Sequence, residues 1–325
     1  MKYRRLGRTE LSLSEMGLGC SGFWGDKHFS DEKAQRIVRD AFDQGVNFFD
    51  TGSNYSNFNA EPRLGRAVKE ILRSNPRDKL VLSTKAGSLS GYAPRVEDND
   101  LTYSDFSPEA IRKSCLKSIE NLNCGYIDIF QLHGFQKEML NPELFECLLS
   151  MKSEGLIRYI GVNTHYRDDL NEIAKHPEIF DMVLTDCNLL QLDRFEDIEK
   201  MTQAGIGVVV GTVLAQGHLV NRKVGSFMNG SFFWYLARTL IKPTTKDFSR
   251  HSSAMRKVLR TIPEMSGAQA AFAFLLENPN ISSCLFGTTS TRNLREVIEA
   301  SGKQLTPESK QRIRAAYAQM KSLSR

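Results

Sequence analysis

Residues 79–85 read Lys-Leu-Val-Leu-Ser-Thr-Lys (KLVLSTK), and residues 126–132 read Tyr-Ile-Asp-Ile-Phe-Gln-Leu (YIDIFQL). Both runs are too short for a helix of ordinary length and too apolar for a strand with one face in water, so each is expected to be a strand buried on both faces. A longer loop and a helix over Pro108–Leu122 separate them, which makes one β/α unit. The same punctuation repeats in both directions along the chain. Upstream, a strand at Val46–Asp50 precedes a helix near Glu61–Arg73. Before that, a Gly-bounded strand at Met16–Cys20 precedes a helix over Asp31–Gln44, with apolar residues at 34, 37, 38, 41 and 42 and a stop at Gly45. Downstream, helix 142–154, strand Ile157–Val162, helix 167–174, strand Met182–Cys187 and helix 194–204 follow in turn. Strand Ile206–Thr212 (IGVVVGT) then leads through a long irregular insertion to helix 267–277, strand Ile281–Phe286, helix 292–300 and a last helix over 307–320.

Eight such units predict an α/β fold, a closed (β/α)8 TIM barrel formed as one domain over 1–325. A hairpin over Tyr3–Leu13, turning at Gly7-Arg8-Thr9-Glu10, precedes the barrel, and extra helices end it. The alternative, an open doubly wound sheet, has its usual mark in a Gly-x-Gly-x-x-Gly turn. Gly17, Gly19 and Gly22 repeat that spacing, but Phe23, Trp24 and Gly25 interrupt the helix start that would hold a pyrophosphate.

With 41% hydrophobic and 25% charged residues and 23 Gly and 10 Pro among 325, the composition excludes disordered and collagen-like chains. A formal charge of only +5, dispersed along the chain, argues against a nucleic-acid partner. No run approaches 18 apolar residues, and Met1–Glu10 has no apolar core of a secretory signal, so a cytoplasmic protein without a membrane partner is expected. The six cysteines, at 20, 115, 124, 147, 187 and 284, form no C-x-x-C pair and are expected as free thiols.

In such barrels chemistry gathers at the C-terminal ends of the strands. There the second strand ends in Asp50, Tyr55 follows in its loop, the third strand ends at Lys85 and the fourth at His133. Each alone fits an ordinary solvated loop. Together they suit the reduction of a carbonyl, in which negative charge builds on oxygen and a proton must be delivered. Asp50 would orient Lys85, whose ammonium favours the phenolate of Tyr55 and makes it a usable proton donor, while His133 would hold the oxygen. None of these side chains carries hydride, so a cofactor is required. A metal-dependent hydrolase would need more clustered ligands than His133 and Asp50, and no metal is expected.

These residues, in their order, resemble the aldo-keto reductase superfamily. The likeness runs from the hairpin to the last helix through Asn47-Phe48-Phe49-Asp50-Thr51, Tyr55, Glu61, Leu82-Ser83-Thr84-Lys85, Asp128, Leu132-His133, Ile160-Gly161-Val162-Asn163, Leu214-Ala215-Gln216-Gly217 and Phe286-Gly287-Thr288-Thr289. Its flavour is nearest to the L-galactose and related sugar dehydrogenases. The resemblance implies an NAD(P)(H)-dependent oxidoreductase interconverting a carbonyl (aldehyde, ketone or sugar) and an alcohol. Asp50, Tyr55, Lys85 and His133 match the catalytic four. It places the cofactor on Cys20, Asp50, Asn163, Thr212, Leu214, Gln216, Gly217, Gly287, Thr288, Thr289, Arg292, Asn293 and Glu296, with NADP(H) favoured and NAD(H) the alternative.

The chain departs from the family pattern at Gly211, where a tyrosine often stacks on the nicotinamide, at Leu184 for glutamine, and at Val297 for asparagine. Those departures motivate a second reading, a nucleotide-binding regulatory or interaction protein on the same scaffold. Substrate walls are expected from Phe23 and Trp24, together with Tyr55 and His133. Tyr92 in the third loop is expected as a further wall, and the aromatics Phe227, Phe232, Phe233, Trp234 and Tyr235 of the 220–255 insertion either cap a pocket or pack over outer helices.

Overall fold

Eight parallel strands close on themselves in the order β10-β3-β4-β5-β6-β7-β8-β9. They are β3 (Met16–Gly19), β4 (Phe48–Asp50), β5 (Val81–Ala86), β6 (Ile127–His133), β7 (Ile157–Asn163), β8 (Met182–Asp186), β9 (Gly207–Gly211) and β10 (Ser283–Phe286). The computed structural model describes residues 1–89, 104–220 and 243–323, leaving out the side chains of 243–251 and 323. Tyr92 and the aromatic cluster at 227–235 therefore lie outside the described residues.

Alternation along each strand divides the core in two. Phe48, Val81, Ile129, Met182, Leu184 and Val209 point inward and fill the barrel. Their neighbours, such as Phe49, Leu82, Phe130, Val183 and Val210, point outward against the helices. This is why the strands read as continuous apolar runs. The hairpin β1 (Tyr3–Arg5) and β2 (Ser12–Ser14) pairs antiparallel and plugs the N-terminal end, adding Leu6, Leu11 and Leu13 to the inner cluster. Gly7 makes that plug possible, because at φ +50° a Cβ there would lie 2.4 Å from the backbone nitrogen of Gly207.

The outer helices start where side chains satisfy their first amides. Ser30 caps α1 (Asp31–Asp43) by accepting from the Lys33 amide, and Ser266 and Gln269 form a reciprocal capping box at the helix Gly267–Leu276. Strand and helix bounds fall within about two residues of those read from sequence, the usual scatter at element ends. One element differs in kind. Within the insertion expected to be irregular, Pro243–Arg260 is an 18-residue helix. Its Ser, Thr and His residues have weak helix preference, and its order comes from burial of Met255 and Leu259, with Ile262 just beyond.

Candidate active site

The inward-facing series that begins with apolar residues at the barrel's bottom ends in polar ones at its C-terminal mouth. In β4, Phe48 is followed by Asp50; in β5, Val81 by Ser83 and Lys85; in β6, Ile129 by Gln131 and His133; in β7, Gly161 by Asn163. Lys85 is fully buried, and its Nζ donates to Asp50 Oδ2 at 2.5 Å and to Thr51 O at 2.7 Å. Gln131 Nε2 holds the other oxygen, Asp50 Oδ1, at 2.8 Å while also donating to Ser83 Oγ at 2.6 Å. Burial alone pulls the Lys85 pKa down. The charges of Asp50 and Tyr55, with hydrogen bonds to both, outweigh it and hold the lysine pKa above its ordinary value.

Tyr55 sits over this pair. The Lys85 nitrogen lies 4.9 Å from the centre of its ring, and the His133 ring meets it edge-on at 5.3 Å and 84°. Gly52 lies under the same ring, where a Cβ would be 3.2 Å from its carbons. The turn after Tyr55 is strained, with Ser56, Asn57 and Phe58 all at positive φ (53°, 55° and 63°), a conformation that costs L-residues energy. Contacts with the loop after β3 hold it. Ser56 Oγ donates to Gly22 O at 2.8 Å, Asn59 Nδ2 donates to Gly25 O at 2.7 Å, and buried Arg63 clamps that loop by its carbonyls at Trp24, Asp26 and Phe29.

Among the described residues, the other side of the mouth ends in glycines. The inward series of β9, β10 and β3 end at Gly211, Gly287 and Gly19, on three neighbouring strands. A Cβ on Gly19 or Gly287 would meet only a backbone carbonyl at 3.5 Å, and one on Gly211 would meet Asp186 Oδ1 at 3.3 Å. These glycines leave a bay in which a flat ring can lie against backbone. Thr212, next in the chain, is held at φ +52° with its hydroxyl buried and without a hydrogen bond among the described residues. The bay and that hydroxyl fit a nicotinamide nucleotide.

Two expected positions do not belong to this surface. Trp24 is only 2% exposed, and its indole N–H donates to Ala34 O in α1 at 3.2 Å, so it packs as core rather than as a substrate wall. Cys20 is sealed. Its amide donates to Asp50 O, its carbonyl accepts from Thr51 Oγ1 and its buried thiol donates to Leu18 O, so each of its polar groups already has a partner within the protein. Phe23 stays half-buried, tilted against Phe29 at 5.6 Å. Asn163 is buried with Nδ2 donating to Leu184 O. Leu214, Gln216 and Gly217 lie in the turn after β9. Gly287, Thr288, Thr289, Arg292, Asn293 and Glu296 lie after β10 and on the helix Thr291–Ile298, which Ser290 caps and where Arg292 and Asn293 are exposed.

Gln131 and Gly52 escaped the sequence reading. For Gln131 a signal existed, since a polar residue two positions before His133 shares its inward face. For Gly52 there was none, because only the fold brings it under the ring.

A sequence profile of the aldo/keto reductase family matches residues 15–318, and the chain belongs to that family. It is accordingly an oxidoreductase that interconverts carbonyl and alcohol with a nicotinamide cofactor. L-galactose dehydrogenase of Arabidopsis thaliana is 28% identical over 92% of this chain and 88% of its own. The NADH-specific methylglyoxal reductase of Escherichia coli (strain K12) is 28% identical over 92% of this chain and 93% of its own. The holo form of aldo-keto reductase AKR11C1 from Bacillus halodurans superimposes with a TM-score of 0.76 at 25% identity, covering 97% of this chain and 96% of that one. Among the described residues no helix is long and apolar enough to cross a membrane.

Proposed function

We propose that Tyr55, Lys85, Asp50 and His133 carry out the proton chemistry of this oxidoreductase, within a single catalytic unit spanning 1–325. The observation that carries the reading is the buried Lys85 ammonium shared between Asp50 and Tyr55 at the mouth of the barrel, beside the glycine bay. The bound nicotinamide supplies or accepts the hydride. Tyr55 gives its phenolic proton to the substrate oxygen as charge builds there, and takes it back when an alcohol is oxidised. Lys85 stabilises the phenolate left behind. Asp50 and the Thr51 carbonyl fix the ammonium, Gln131 fixes Asp50, and His133 donates a hydrogen bond to the same substrate oxygen.

The nucleotide is assigned to the bay of Gly19, Gly211 and Gly287, with its phosphates toward Thr212–Gly217 and the first turn of Thr291–Ile298. NADP(H) is favoured over NAD(H). A cavity of about 350 Å³ beside Gly217 is lined, among the described residues, by His218, Arg256, Lys257 and Arg260 with no carboxylate, a setting that suits an extra phosphate. Substrates are small carbonyls or sugars, in keeping with the relatives that act on L-galactose and methylglyoxal.

The deciding experiment is Tyr55→Phe. Turnover with a panel of aldehydes, ketones and sugars should fall by about 10²–10⁴-fold, while nucleotide affinity, read by fluorescence titration, stays within twofold. Unchanged turnover removes Tyr55 from the chemistry, and equal affinity for NADPH and NADH removes the preference for the phosphorylated cofactor.

A further inference from the structure

The inward face of β8 runs Met182, Leu184, Asp186. The first two belong to the inner core, so Asp186 is the last inward side chain of that strand, and it is paired in register with Gly211. Its side chain is 24% exposed. Among the described residues neither carboxylate oxygen accepts a hydrogen bond. The nearest cation-forming group is His165, whose Nδ1 lies 3.5 Å from Oδ2 and is itself buried without a hydrogen bond. The other oxygen, Oδ1, lies 3.3 Å from the point where a Cβ on Gly211 would stand. This half-buried carboxylate, with no hydrogen-bond donor to it among the described residues, faces Gly211 and the glycine bay.

We infer that Asp186 is a specificity-determining residue that makes the site prefer the oxidised nicotinamide nucleotide over the reduced one. The inference rests on the assignment of the nicotinamide to the glycine bay. The oxidised ring carries one positive charge that the reduced ring lacks, and the rest of the nucleotide is identical. A carboxylate across the Gly211 gap therefore attracts one redox form and not the other. Because Gly211 has no side chain, none is interposed between them at that position. At the effective dielectric of a partly buried site, one such charge is worth about a tenfold difference in binding after discounting for solvent. By linkage the same factor shifts the equilibrium of the bound couple toward the oxidised nucleotide, and so toward reduction of the carbonyl.

Equilibrium titration tests this without turnover. The full chain and its Asp186→Asn variant are titrated with NAD⁺, NADH, NADP⁺ and NADPH, with no carbonyl or alcohol present. The expected result is a roughly tenfold rise in Kd for the oxidised forms with less than twofold change for the reduced ones, and an Asp186→Glu variant that keeps the unsubstituted ratio. Equal weakening of both forms would mean that the side chain acts as a hydrogen-bond acceptor and would overturn the inference, as would no change in either. If the asparagine variant does not fold, Asp186→Ser carries the same prediction. Failure of the unsubstituted chain to bind any of the four overturns the assignment of the nucleotide itself, a result distinct from binding with an unaltered ratio.

Discussion

Two buried carboxylates sit on the strands that flank β5 and do opposite work. Asp128, early in β6, points outward. Its Oδ2 accepts from Arg77 Nη2 at 2.7 Å and from the Leu82 amide at 2.9 Å, and its Oδ1 accepts from Arg158 Nη1 at 3.1 Å. Every contact ties one structural element to another, and none reaches the mouth. Asp50, at the end of β4, points inward. Its partners are Lys85 and Gln131, and Lys85 in turn serves Tyr55. Burial and pairing are therefore no guide to function by themselves. What separates the two is the parity and height of each residue in its strand: Asp128 braces the wall, whereas Asp50 pairs at the barrel mouth with a lysine that also interacts with Tyr55. Glu61 belongs with Asp128, since its oxygens accept from Thr84 Oγ1 at 2.6 Å and Asn121 Nδ2 at 3.0 Å and join the helix Ala60–Ile71 to its neighbours.

The contrast can be broken most sharply at Asp128. Asp128→Ala leaves Arg77, whose side chain is 16% exposed, without its carboxylate, and should cost about 3–5 kcal/mol of unfolding free energy. The kcat of the surviving folded protein should stay within about twofold of the unsubstituted value. Urea unfolding paired with steady-state rates checks both halves, and a large loss of kcat in folded protein would erase the distinction.

Asp50→Asn sharpens the comparison from the other side. It keeps the shape but removes the charge that holds the Lys85 ammonium, so kcat should drop about 10–100-fold, equivalent to about 1.4–2.7 kcal/mol of barrel-mouth chemistry, with nucleotide affinity little changed. Rates and fluorescence titration measured together decide it, and unchanged kcat would return Asp50 to the structural class.

The smallest effect is expected at Trp24. Trp24→Phe loses one buried hydrogen bond, to Ala34 O, and should cost about 1 kcal/mol of stability with no change in KM for any substrate. A shift in KM would restore Trp24 to the substrate wall.

Reading the strands from the sequence succeeded because fully buried parallel strands must be apolar on both faces, and KLVLSTK can hardly be anything else. The positions of Asp50, Lys85 and His133 at strand ends were legible for the same reason, since parity and the C-terminal rule place them together. The departure at Gly211 was legible too, but not its meaning. Gly19 and Gly287 join Gly211 in one bay only because the barrel closes β9 and β3 onto β10, and no local pattern records that closure. Trp24 misled because a large aromatic residue after the first strand suits a pocket wall as well as it suits core. Its fate was settled by Arg63, 39 positions further on, pulling that loop down onto the helices.

The sequence by itself therefore determined the eight-unit barrel and the four polar residues at its mouth, because periodicity and residue chemistry are local properties that survive in one dimension. Only the tertiary structure decided that Gln131 braces Asp50, that Gly52 lies under Tyr55, and that Asp186 faces a bay of glycines. Those facts depend on distances between residues far apart in the chain, and such distances exist only once the barrel has closed.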